Sequence, residues 1–276
     1  MNISIDEKES DGCQFGLMIK IIATFLIGIS SISFGEIISI PNPNEGFFYP
    51  KEDTQTIYLS NKESIASLIF LPGGTGSFGT APGKPEIEKF FALTSIAKGL
   101  NQGAKLDFVF MDSPYELSPM NTKSNLGIRS MKDHLDRIKS VIKTFSQKTQ
   151  KPVWLIGHSN GAYSLSSFLN QSPENQKMIK GAIFSGGRSE RFLKGEFNLS
   201  ILILHHESDP CPHTNYESAK SFYEEVKKQN KGRTEFVTIV GGTNSGEPCF
   251  STGSHHMYSG SYGQFTESVV KFISEN

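Results

Sequence analysis

A chain of 276 residues that is 37% apolar and carries a formal charge of −1 can bury one good-sized core, and one α/β domain suits that length better than two small ones. Basic and acidic residues are interspersed, which excludes a nucleic-acid-binding stripe and an acidic solvating tail. Partners must therefore be inferred from a site and not from bulk charge.

The chain begins with an export pattern. Ile21 to Ile32 is an uncharged apolar run, with Lys20 before it and Ser33-Phe34-Gly35 after it. A basic start, an apolar centre and small residues at the end make a secretory signal peptide. The run is short for a membrane-spanning helix, which needs roughly 20 residues. Asp6, Glu7, Glu9 and Asp11 do not suit such a leader, and Met18 makes a better start. Residues 1–35 are thus expected to be a signal-peptide region and 36–276 one domain, periplasmic or extracellular and free of the membrane once processed. An uncleaved anchor or a buried helix is the alternative. With Cys13 in the leader, Cys211 and Cys249 remain as an even pair for an oxidising compartment. A bridge between them would add about 3–4 kcal/mol on the chain-entropy model; two buried free thiols are the other reading.

In chain order, a Pro/Asn/Gly stretch at 41–46 precedes Ile65–Leu71, a continuous apolar run expected to be a buried strand that ends in Pro72-Gly73-Gly74-Thr75-Gly76. Apolar residues from about Pro85 to Leu100 recur at helical spacing. Leu106–Met111 is a second strand. Met131, Leu135, Ile138, Val141, Ile142 and Phe145 then mark a helix, with Ser130 and Asp133 as its candidate cap and His134 on its surface. Strands at Pro152–Ile156, Ala182–Ser185, Ile201–His205 and Glu235–Val240 alternate with helices near 160–169, 217–228 and 267–274. Strands separated by such helices need crossover connections, hence a mostly parallel sheet covered on both faces.

Gly157-His158-Ser159-Asn160-Gly161 fits G-x-S-x-G. The string alone is a weak signal; its place between a strand and a helix makes it a strong one. The two glycines permit a tight turn that pushes Ser159 out at the strand's C-terminal end. A serine hydroxyl needs a base, and the base needs an acid to orient it. With such an elbow the chain order is Ser, acid, His. Asp209 follows the strand Ile201–His205 in a turn closed by Pro210, with Glu207 as the fallback. His255 and His256 both lie after the last strand, and one of them is the expected base. His158, inside the elbow, is too constrained for that role. Oxyanion donors are expected from the backbone N–H of Asn160, at a helix N-terminus, and from the turn at Gly73-Gly74-Thr75, where Gly74 is preferred over Thr75.

The segments PVWLIGHSNGAYS and LHHESDPC and the late G-x6-PC-x5-HH-x-Y-x-G resemble a bacterial group of exported α/β-hydrolases over roughly residues 60 to 276. That resemblance implies the α/β-hydrolase fold and a base followed by Gly-Phe and then a glycine. His256-Met257-Tyr258-Ser259-Gly260 fits that register best, which favours His256 over His255. The group also carries a cysteine just after the acid and another before the histidine, so a Cys211–Cys249 bridge would tie the acid and base loops together. Two departures, Asn160 where many relatives carry Arg and Met257 in place of Gly, lie beside the reacting centre, so substrate preference does not carry over.

Together these residues predict a serine hydrolase acting on a small-molecule ester, with Ser159, His256 and Asp209 as its triad and with no cofactor, metal or nucleic acid. The polar loop Tyr115–Arg129 is expected to wall the site, with Tyr115, Met120 and Tyr258 as substrate contacts. One rival is a metal-dependent enzyme built on the crowd His205, His206, Asp209, Cys211 and His213, which meets no standard ligand spacing. The other is a non-catalytic binding module on a hydrolase scaffold.

Overall fold

The computed structural model describes residues 35–44, 51–79, 96, 97, 99–103, 105–117 and 126–276, all within the unit Gly35–Asn276. The expected leader up to Phe34 and most of the helix expected near 85–100 lie outside the described residues; of that second stretch the described Ile96 and Ala97 are helical, and a π turn occupies Gly99–Gly103.

The apolar runs form strands that are buried on both faces: β3 (Ala66–Leu71), β4 (Leu106–Asp112), β5 (Val153–His158), β6 (Gly181–Ser185) and β7 (Ser200–His206). β8 (Thr234–Ile239) is half-buried at one edge. Two strands at the opposite edge were not anticipated, β1 (Glu36–Ile40) and β2 (Thr54–Leu59). Neither carries a long apolar run, and both are held by cross-strand bonds such as that from Thr56 Oγ1 to the Ile38 carbonyl at 3.0 Å. The eight strands form one sheet in the order β1-β2-β4-β3-β5-β6-β7-β8. β1 and β2 run antiparallel to their neighbours, and every pairing from β4/β3 to β7/β8 is parallel.

Alternate side chains of each strand feed two cores. One face packs Ile69, Leu155, Phe184 and Ile203 against helices α1 (Lys132–Thr149), α2 (Asn160–Gln171) and α4 (Tyr216–Gln229), with the short α3 (Pro173–Lys177) beside them. The other packs Phe70, Phe108, Trp154 and Leu204 against α5 (Tyr262–Ser274) through Phe265, Val269 and Phe272. Each such fully buried side chain contributes about 1.5–3 kcal/mol. Parallel register lines up the C-terminal strand ends: Leu71 lies opposite Gly157, His158 opposite Ser185, and Ser185 opposite Leu204. The loops that follow β3, β5, β6 and β7 therefore leave from one edge.

Three local expectations are corrected. Ser130 does not cap α1: Met131 is the N-cap residue with no side-chain bond, Ser130 Oγ turns back to the Gly127 carbonyl at 2.8 Å, and Asp133 is engaged by Arg137 Nε at 2.7 Å and by the Tyr115 hydroxyl at 2.6 Å. His134 is buried and not on the surface, because α2 covers it and Ser164 Oγ sits 3.0 Å from its Nε2. Tyr258 is wholly buried, its hydroxyl 3.0 Å from Ser185 Oγ and 3.3 Å from the Leu204 carbonyl, so it cannot contact substrate. Met120 lies outside the described residues.

Candidate active site

β5 ends at His158 and α2 begins at Asn160, leaving Ser159 alone to make the turn, at φ 55° and ψ −120°. An L-residue there is strained and persists only where its surroundings enforce it. The enforcement is visible. The Ser159 N–H donates to the Ser185 carbonyl at 3.0 Å, and the Ser159 carbonyl accepts from the N–H groups of Ala162 at 3.1 Å and Arg188 at 3.3 Å. A Cβ on Gly161 would lie 1.9 Å from the Leu71 carbonyl oxygen, so the elbow closes against β3 only because that residue has none. Gly73, from the turn after β3, presses on the serine: a Cβ on it would lie 2.7 Å from Ser159 Cβ and 3.3 Å from Ser159 Oγ.

Asp209 and His256 meet across the loops after β7 and β8. Asp209 Oδ2 lies 2.9 Å from His256 Nδ1 and accepts from Thr214 Oγ1 at 2.8 Å. It also lies 3.1 Å from His205 Nε2, while Oδ1 accepts from the Cys211 N–H at 2.9 Å. A carboxylate only accepts, so His256 Nδ1 carries a proton, which in the neutral tautomer leaves the lone pair on Nε2. Burial works to raise the Asp209 pKa, but the donors His205 and His256 outweigh it and hold the carboxyl well below the usual range. His256 Nε2 is buried and has no hydrogen-bond partner, so the Ser159 hydroxyl is not bonded to it in this resting arrangement.

The loop that carries His256 is fastened twice. Ser254 Oγ accepts from the His256 N–H at 3.1 Å and donates to the Pro248 carbonyl at 2.6 Å. A disulfide joins Cys249, beside Pro248, to Cys211, two residues past Asp209. His255 instead stacks on His206, ring centroids 4.0 Å apart, with Nδ1 3.3 Å from the Ser208 carbonyl. Glu207 is exposed. His158 lies behind the elbow with its ring centroid 4.9 Å from that of His256 and its Nδ1 3.1 Å from Ser185 Oγ; burial, then the nearby His256, push its pKa down to about 3.

The turn Gly73-Gly74-Thr75 closes through a bond from the Gly76 N–H to the Gly73 carbonyl at 3.0 Å. Asn160 Nδ2 donates to the Gly74 carbonyl at 2.9 Å, tying the elbow to this turn. Asn160 opens α2, where a backbone N–H has no acceptor earlier in the helix. Sequence reasoning did not foresee three parts of this assembly: Thr214 and His205 around Asp209, and Arg129 beneath the glycine turn. His205 was legible only as part of a metal-like crowd, yet its Nε2 also donates to the Thr214 carbonyl at 2.9 Å and Cys211 is oxidised. Among the described residues no cluster of three His, Cys, Asp or Glu side chains is arranged to hold a metal ion. No helix among them is long and apolar enough to cross a membrane.

No family model and no curated protein matches the sequence. Solved structures do match. An α/β serine hydrolase without a lid from Xanthomonas campestris superposes with a TM-score of 0.58 at 11% identity, covering 88% of this chain and 95% of that one. An α/β serine hydrolase homologue from Coxiella burnetii gives 0.55 at 17% identity, covering 88% and 99%. A dienelactone hydrolase from Anabaena variabilis gives 0.56 at 13% identity, covering 87% and 97%. The strand order, the parallel run from β4 to β8 and these matches together make this the α/β-hydrolase fold.

Proposed function

We propose that the protein is an exported serine hydrolase that cleaves esters, with Ser159 as nucleophile, His256 as general base and Asp209 as the orienting acid. The observation that carries this reading is the pair Asp209–His256 at 2.9 Å, in a fold that also holds a serine at positive φ on a strand-to-helix elbow. Serine activation needs an imidazole whose Nδ1 proton is held by a carboxylate, and this pair supplies one. The missing Ser159–His256 bond is compatible with it, since catalytic hydrogen bonds in free enzymes are often long and tighten when substrate binds.

In the proposed reaction Ser159 Oγ attacks the ester carbonyl carbon while its proton passes to His256 Nε2. The oxyanion is received by the N–H groups of Asn160 and Gly74. His256 then returns the proton to the departing alcohol, leaving an acyl-serine. A water, deprotonated by the same imidazole, releases the acid and restores Ser159. Asp209 stays ionised throughout, which its four donors favour. Export is supported by the leader-like run before Gly35 and by the disulfide, which belongs to an oxidising compartment.

The test is a panel of chromogenic esters of increasing acyl length beside labelling with a fluorophosphonate. Turnover of short esters and labelling, both abolished in Ser159→Ala, are expected. Equal turnover by Ser159→Ala would overturn the assignment.

A further inference from the structure

We propose that Arg129 is a positioning residue that aims the oxyanion donors of the glycine turn, an inference that rests on the serine-hydrolase reading above. Arg129 belongs to the 3-10 turn Gly127–Ser130 ahead of α1 and is 1% exposed. Its Nη1 donates to the Pro72 carbonyl at 3.2 Å and to Ser164 Oγ at 2.9 Å. Its Nη2 donates to the Gly74 carbonyl at 3.0 Å and reaches the Gly73 carbonyl at 3.5 Å. One planar cation thus gathers three successive carbonyls of the turn that abuts Ser159.

The consequence follows from peptide geometry. In a trans peptide the carbonyl and the next N–H point in opposite directions, and the described residues contain no cis bond. Carbonyls 72, 73 and 74 drawn toward the guanidinium therefore send the N–H groups of Gly73, Gly74 and Thr75 away from it. Gly74 adopts φ +56°, and a left-handed residue within a short turn is how successive N–H groups come to line an anion-binding concavity. With Gly73 packed on Ser159 Cβ, that concavity opens beside the nucleophile.

The second half of the clamp is the elbow helix. Ser164 lies one turn into α2 from Asn160, so the same guanidinium connects the glycine turn to the helix whose first N–H is the other proposed donor. Ser164 Oγ, which accepts from Arg129, also lies 3.0 Å from His134 Nε2. Asn160 Nδ2 grips the Gly74 carbonyl from the elbow side. Two side chains from separate elements, Arg129 and Asn160, thus fix the Gly74–Thr75 peptide. A lysine at 129 keeps the charge but lacks the planar fork needed to hold several carbonyls at once.

The experiment compares wild type, Arg129→Lys, Arg129→Gln and Asn160→Ala on a short chromogenic ester and on an arylboronic acid, which forms a tetrahedral adduct on an activated serine. Loss of one oxyanion donor costs about 10²–10³ in kcat, so misaiming it should cost about 10- to 100-fold with KM changed less than about 3-fold. Boronate affinity should fall in step with kcat/KM, and the pH midpoint of kcat/KM should stay put because the base is untouched. A structural role alone would lower the melting temperature and active fraction without that coupled loss. Wild-type kcat and boronate affinity in folded Arg129→Lys would overturn the clamp. If neither Arg129 variant folds, Asn160→Ala decides: parallel losses of kcat and boronate affinity support the clamp, and their absence sinks it. Activity retained by Ser159→Ala would instead remove the hydrolase reading and the clamp with it, whereas an inert Ser159→Ala beside a fully active Arg129→Lys removes only the clamp.

Discussion

Mild acid should destabilise this fold well before its carboxylates titrate, because two imidazoles are buried neutral. His134 is 2% exposed and His158 5%. Burial pushes each pKa down to about 3, helped by the charge of Arg129 beside His134 and by His256 beside His158. In the unfolded chain a histidine titrates near 6.5, so between about pH 6.5 and 3 the unfolded state binds more protons and stability falls as pH falls. At pH 5 the loss is 1.5 pH units times about 1.36 kcal/mol, about 2 kcal/mol for each residue and about 4 for the pair. Against a total of about 5–15 kcal/mol this is a large share. The low pKa of Asp209 acts in the same direction, but only below about pH 3.9, where an unfolded aspartate starts to protonate. The window from 6.5 to 4 therefore isolates the histidines. Urea unfolding at pH 7, 6 and 5, with the disulfide intact, should show the midpoint dropping by about 1.3 M by pH 5 for a slope of about 3 kcal/mol/M. His134→Gln should remove about half of the loss that this pair contributes, leaving the part owed to His158 and to His206, whose pKa burial also lowers. Stability unchanged between pH 7 and 5 would refute the claim that these imidazoles are held neutral.

Other outcomes follow from the same contacts. Gly161→Ala, which places a methyl 1.9 Å from the Leu71 carbonyl, should cost about 3 kcal/mol or more in a thermal melt, since neither backbone can yield. Asp209→Asn keeps the shape but removes the charge that fixes the His256 tautomer, and kcat should fall about 10⁴-fold in steady-state assays while the fold persists. Replacing Cys211 and Cys249 by serine opens a bridge across 38 residues and should lower unfolding free energy by about 4 kcal/mol; on the proposed mechanism kcat should fall too, because the loops that carry Asp209 and His256 lose their fastening.

The centre of the fold was legible because its strands obey one rule. β3 to β7 are covered on both faces, so their residues are apolar whichever way they point, and a continuous run such as Ile201–Leu204 has few other homes in a chain of this kind. β1 and β2 were missed because that rule fails at an edge. Thr54 and Thr56 are nearly or fully buried, yet they are polar and their hydroxyls are accommodated by neighbouring elements; Thr54 Oγ1, for example, receives Arg137 Nη1 at 3.3 Å. No window of the sequence carries that information.

The site divides along the same line. Ser159, Asp209 and His256 could be nominated because the proposed chemistry demands a type, an order and a place at the strand ends, and those demands are written locally. The side chains that hold them were invisible for the converse reason. His134 looked like a surface residue because a polar residue on an amphipathic helix is assigned outward unless its partner is known, and the partner, Ser164, is 30 residues away. Arg129 sits 57 and 55 residues from the carbonyls of Pro72 and Gly74 that it grips, and nothing near it in the chain distinguishes it from a solvated arginine. Burying a guanidinium or an imidazole is expensive unless its hydrogen bonds are met. Once the fold is known, each buried polar side chain therefore points to what it holds, and Arg129 points at the turn beside Ser159.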